Sequence, residues 1–230
     1  MYLQTRCKQG TAVKPFNRNG MLKTLVKQPI SSNNLRVPRR YTNTPSKGLI
    51  VMPDISGFTR FVNSTDMAEG KLIITELLSS ILENNILGLK VSEIEGDAVL
   101  FYRIGPPPSG SDILRQYEQM LFHFKEKVAE FTNLFHHDSK LSLKLVAHYG
   151  EISEYRVGGF EKLYGRAVIE SHRLLKNSID SHSYALLTDD LLDAVTQVPF
   201  INQEKGINAS KLCQVYGDLR NICFTYFDYN

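Results

Sequence analysis

The sequence predicts an α+β protein in which one mixed sheet lies under helices. Short apolar runs without a helical period alternate with stretches whose apolar residues recur every three to four positions. Their order reads β-α-β-β-α-β with further elements appended, and turn or capping residues stand at the junctions. This order is the ferredoxin-like plan, continued here by a C-terminal extension. No internal repeat and no second folded domain is read. Residues 48–230 form the predicted domain and residues 1–47 a tail.

Each element has its own signal. "GLIVMPDI" (48–55) is a short apolar run bounded by polar residues, read as a buried strand. "SGFTRFVNS" follows as a short helix, with Ser56 as its cap and Phe58, Phe61 and Val62 on one face. The helix over 66–85 opens with Asp66 and Glu69 in a capping-box pattern; Leu72, Ile73, Leu77, Leu78, Ile81 and Leu82 make its buried stripe. "LKVSEIEGDAVLFYRI" is two strands joined by a tight turn at Glu95-Gly96, where glycine supplies a positive φ. The helix over 111–135 carries apolar residues at Ile113, Leu114, Tyr117, Met120, Leu121, Phe124, Val128, Phe131 and Phe135. Two strands, "LSLKLVAHYGEI" and "EYRVGG", precede a helix in "GRAVIESHRLLKNS". The strand "YALLT", the short helix "DDLLDAV" and a hairpin near "LCQVYGDLRNICFTYF" close the chain.

Composition narrows the function classes. With 42% hydrophobic and 22% charged residues, the chain is ordinary for a globular protein. No apolar run approaches the roughly 20 residues that cross a bilayer, and no secretory signal is read. Cys7, Cys213 and Cys223 contain no CxxC, so neither a disulfide framework nor a zinc site is expected, and a cytoplasmic location fits. The net charge of +3 hides a division. Ten of the 27 Lys and Arg, and none of the 24 Asp and Glu, lie in residues 1–47, so the predicted domain is net acidic. An acid-free leader suits a nucleic-acid or membrane-surface arm or a transit peptide. A solvated, disordered tail is the preferred reading, and nucleic acid is not expected as a partner. His136-His137-Asp138 is read as a solvated loop, and His148 and His172 as packed or partly exposed histidines.

The candidate site follows from topology. A right-handed β-α-β crossover brings the C-terminal ends of the first two strands to one edge. Asp54 lies at the first end and Asp97 just past the turn at the second, while Glu93 and Glu95 share one strand face. Unpaired carboxylates placed together repel, and a hard divalent cation, Mg²⁺ or Mn²⁺, relieves that. Backbone N–H groups of Ser56, Gly57, Phe58 and Thr59 open a helix, and such an N-terminus attracts phosphate. Taken alone, "DISGFT" reads equally well as an N-cap before a packed helix.

The ordered trio "PDISGFT", "EIEGDAVLFY" and "HYGEI…YGRAVIESHRLL" resembles the catalytic domain of the class III adenylate and guanylate cyclases, in a divergent bacterial branch of unknown function. The resemblance spans about residues 48–230. It implies a two-metal site at Asp54 and Asp97, with the carbonyl of Ile55 as a further ligand. It implies a nucleoside triphosphate as substrate and cyclisation with loss of pyrophosphate. Arg173 matches the family's arginine that neutralises the reacting phosphate. A head-to-tail homodimer is implied, in which Arg173 serves the partner's metals.

The chain departs from the family at three points. The family's ribose-binding asparagine is Ile169 here, and loss of one such contact commonly costs about 10²-fold in rate. The base-reading pair is Glu93 and Lys162. Either it forms a salt bridge that closes the base pocket, or it recognises an N–H and C=O edge, which favours GTP or UTP. The family's phosphate-binding lysine falls at Tyr216. A nucleotide cyclase and a catalytically degenerate module for nucleotide sensing or protein interaction both remain open.

Overall fold

The computed structural model describes residues 46–135, 140–195, 207–217 and 219–230. The tail up to residue 45 and His136-His137-Asp138 lie outside the described residues. Strand β1 (Ser46–Ser56) sits centrally in an eight-stranded sheet, flanked by β3 (Ala98–Ile104) and β4 (Ser142–Val157). A strand covered on both faces needs no alternation, which is why its sequence is a near-continuous apolar run. The strand order is β2-β3-β1-β4-β6-β8-β7, with β2 at Lys90–Glu95, β6 at Tyr184–Thr188, β7 at Asn208–Val215 and β8 at Asn221–Asp228. Among the described residues only β4 and β6 pair in parallel. The β2-β3-β1-β4 half, with its two helical connections, is the expected ferredoxin-like core.

One face of the sheet carries the main core. Helices α2 (Met67–Glu83) and α3 (Gly110–Phe135) lay Ile73, Leu77, Ile81, Ile113, Tyr117, Met120 and Phe124 on Leu49, Val51, Ile55, Val99, Phe101, Leu143 and Leu145. Asp66 caps α2 by accepting from the Ala68 and Glu69 amides. Of the predicted stripe, Leu72 is 47% exposed; it lies one position outside the arc that meets the sheet. The opposite face carries α4 (Arg166–Leu174), whose Ala167 and Leu174 pack on Ile50, Met52 and Val146. That face is only partly covered, and the cleft described below opens there.

Several local expectations are corrected. Ser56 is the last residue of β1, paired with Ser142, and does not cap α1 (Phe58–Ser64). Gly57 stands at the N-cap with φ 88°, where a Cβ would come 2.7 Å from the Lys140 carbonyl, so only glycine turns the chain there. The β2–β3 turn is Gly96-Asp97, one residue later than expected, with Glu95 opposite Ala98. "EYRVGG" is no separate strand. It continues β4, and a Gly158-Gly159 turn leads to β5 (Phe160–Tyr164), which pairs back on β4. The polar residues after Ile152 hide this extension because β5, not a core, holds it in place.

The expectation of no disulfide also fails. Cys213 and Cys223, ten residues apart, are register partners on β7 and β8 and form a disulfide. Their spacing shows no motif, since only the hairpin register sets them opposite each other. That bond removes the ground on which a reducing compartment was expected. No helix among the described residues is long and apolar enough to cross a membrane.

Candidate functional site

Period two along each strand decides what faces α4. Ile50 and Met52 of β1 pack on that side, so Asp54 follows them; Lys144 of β4 shares the side with Val146, and Glu93 and Glu95 of β2 share it with Leu100. Asp54 and Lys144 are direct register partners, and Lys144 Nζ lies 2.8 Å from Asp54 Oδ2. The same ammonium donates to the Leu175 carbonyl at 3.3 Å. Asp54 also pairs with Ala98 on β3, which brings Asp97 alongside. The Ile55 amide donates to the Asp97 carbonyl at 3.2 Å and fixes that turn against the strand.

Electrostatics mark the two aspartates as a strained pair. Burial raises the Asp54 carboxyl above its ordinary range, with Lys144 pulling it part of the way back. Asp97 is pushed up to about 6, first by burial and then by the Asp54 charge. A cleft of about 630 Å³ opens over them, lined by Glu95, Lys144, Ile169, His172, Arg173 and Lys176 as well as both aspartates. Arg173 thus lines the cleft of its own chain's carboxylates, whereas the resemblance implied service to a partner's.

The α4 helix is held by a buried polar network. Glu170, only 2% exposed, accepts from Arg166, Arg220 and His148, and His148 bonds Thr188. Burial opposes ionisation of Glu170, but hydrogen bonds from His148 and Arg220 outweigh it and hold the carboxyl well below its usual range. Arg220 also reaches Asp190 at 2.7 Å. His148 is therefore a packed, fully satisfied histidine, as expected. His172 is partly exposed at the cleft, 3.6 Å from Glu95. Ligand atoms of Glu93, Glu95 and His172 lie within 4.8 Å of one another.

Other predicted residues fall elsewhere. Glu93 and Lys162 form an ion pair across β2 and β5, as one of the two readings had it, and Glu93 holds the Lys162 ammonium protonated above its usual range. Ser56, Gly57, Phe58 and Thr59 do not line the cleft, and Phe58 packs against the main core. Tyr216 is buried with Val146, Leu174 and Tyr184 and presents no group to the cleft. Lys144, Lys176 and His172 line the cleft without having been assigned to it. The available signal was Lys144 itself, a lone charge amid the apolar strand "LSLKLVAHY".

Three kinds of relative bear on this geometry. Residues 74–184 match the family described as "Protein of unknown function (DUF2652)". The "Uncharacterized protein Rv2561/Rv2562" of Mycobacterium tuberculosis is 31% identical over 126 residues, which is 50% of this chain and 57% of that protein. The chain therefore spans little more than half the length of this relative. Among solved structures, the adenylyl cyclase CyaB from P. aeruginosa superposes with a TM-score of 0.61 at 15% identity, over 80% of this chain and 95% of that one. The guanylyl cyclase Cya2 gives 0.61 at 13% identity, covering 80% and 93%. The guanylate cyclase domain of RhGC from Catenaria anguillulae, solved with GTP, gives 0.56 at 13%, covering 79% and 96%. The fold is that of the class III cyclase catalytic domains.

The donor set of this cyclase fold suits a hard divalent ion. Asp54 at the end of β1 and Asp97 in the adjacent β2–β3 turn offer carboxylate oxygens, and the Asp97 carboxyl is raised first by burial and then by the Asp54 charge. A cation between them would remove the repulsion between the two charges.

Proposed function

We propose that this chain binds a nucleoside triphosphate with a divalent metal, Mg²⁺ or Mn²⁺, and closes it to a 3′,5′-cyclic nucleotide with release of pyrophosphate. One observation carries the reading: the carboxylates of Asp54, Glu95 and Asp97 line, with Arg173, Lys144 and Lys176, a single cleft of about 630 Å³, a volume suited to a nucleotide. Asp54, Asp97 and the Ile55 carbonyl are the groups that would hold the metal, which when bound supplies Lewis-acid activation and charge neutralisation. Arg173 is placed to offset charge developing on the reacting phosphate, worth on the order of 10²–10³ in rate. Lys144 and Lys176 add positive charge for the remaining phosphates. Glu93 accepts and Lys162 donates, so once their ion pair opens they match the N–H and C=O edge of guanine or uracil.

A head-to-tail homodimer belongs to the same reading. Val157, Phe160 and Tyr164 on the β4–β5 hairpin are exposed, Phe160 by 70% and Tyr164 by 75%, and would be covered by a second copy. A second reading has its own support. Ile169 stands in the cleft where the resemblance calls for an asparagine, and the Glu93–Lys162 pair closes on itself. On that reading the chain is a non-catalytic module for nucleotide sensing or protein interaction.

Incubation of the full chain with each of the four NTPs and Mn²⁺, followed by mass spectrometry, separates the two. A cyclic product and pyrophosphate, absent from the Asp54→Asn protein, would establish the cyclase. Binding of a triphosphate without product would establish the module. Neither product nor binding would overturn the nucleotide reading.

A further inference from the structure

We infer that Lys144 is a built-in cation that takes the place of one of two metal ions, so that the Asp54–Asp97 site holds a single divalent ion. The inference rests on the metal reading proposed above. It starts from backbone register: Asp54 and Lys144 stand directly opposite on β1 and β4, on the same face, so neither can avoid the other without a slip of the central sheet.

The ammonium is held from two sides. It lies 2.8 Å from Asp54 Oδ2 and 3.3 Å from the carbonyl of Leu175, the C-cap residue of α4, where unsatisfied helix carbonyls concentrate negative charge. Its side chain is 20% exposed and that of Asp54 13%, so leaving this position means giving up both partners at a partly buried site. With Oδ2 engaged by the ammonium, Asp54 offers Oδ1 to a metal ion. Two ions bridged through both oxygens of this carboxylate would have to displace Lys144. A second divalent ion would also sit against an ammonium of like charge. One divalent ion with Lys144, Arg173 and Lys176 carries five positive charges against the three carboxylates of the cleft, Asp54, Glu95 and Asp97, leaving a net positive site for phosphate oxygens.

The test counts ions in the full chain without nucleotide, using Mn²⁺ and both calorimetry and electron paramagnetic resonance of the free ion. Wild type should bind one Mn²⁺. Lys144→Met should bind two, or bind the first on the order of tenfold more tightly, because an opposing charge has gone. Lys144→Gln keeps a polar group against Asp54 and serves as the second neutral variant should the methionine protein fail to fold. Two ions in wild type would overturn the inference while leaving the metal reading intact, as would one ion of unchanged affinity in the folded neutral variants. No Mn²⁺ bound by any of the three proteins would overturn both.

Discussion

Replacing Asp97 with asparagine should stabilise the protein at neutral pH and abolish its metal affinity, two effects with one origin. Folding moves the Asp97 carboxyl from 3.8 to about 6, because the turn is partly buried and Asp54 lies beside it. The folded chain therefore binds more protons than the unfolded one between those two values, and its stability rises as pH falls through about 6. Above that range the ionised group carries a penalty. The full shift corresponds to about 3 kcal/mol, and screening at this half-exposed turn reduces it to about 1–2 kcal/mol. Asp97→Asn removes the penalty, so its Tm near neutral pH should exceed that of wild type by roughly 2–8 °C for a domain of this size. Melts followed by circular dichroism in chelator, over a pH series from acid to mildly alkaline, are the assay; the two curves should converge at the acid end. Added Mn²⁺ at about a hundredfold excess over Kd should raise wild-type stability by about 2.7 kcal/mol and leave the variant unmoved. A variant less stable than wild type at neutral pH, or a difference that does not change with pH, would refute the account of the pair.

Two further outcomes follow from other parts of the structure. Glu170→Gln removes the buried carboxylate that accepts from His148 and Arg220, leaving Arg220 with Asp190 as its anion, and should cost about 1–3 kcal/mol in urea unfolding. Because the Glu170 carboxyl is lowered in the folded chain, wild type should lose this contribution as pH falls below about 4.5, whereas a loss under about 1 kcal/mol would mean the network is slack. Arg173→Ala and Asp54→Ala should each be nearly inactive in cyclisation. If the site is shared between head-to-tail subunits, mixing them should restore activity, measured as cyclic product; no regain would assign Arg173 to the cleft of its own chain, where the structure places it.

Much of the fold was legible because it depends on near neighbours. The apolar run of β1, the capping residues before α2, the stripe of α3 and the strand "YALLT" each report a local preference set within a few positions. Asp54 and Asp97 were legible for a related reason. Both stand at strand ends, and the β-α-β-β order already puts those ends together. What lay across the sheet was not legible. Period two says which side chains share a face, but not which residue of a distant strand stands opposite. Register alone decided that Lys144 meets Asp54 and that Cys213 meets Cys223. The extension of β4 was hidden in the same way, since its polar residues are ordered by pairing with β5 rather than by burial. By itself the sequence determined the elements, the ferredoxin-like order and the two carboxylates at one edge. Only the tertiary structure decided which charges neutralise them, because ion pairing depends on ångström separations between strands about ninety residues apart, and no local pattern carries that distance.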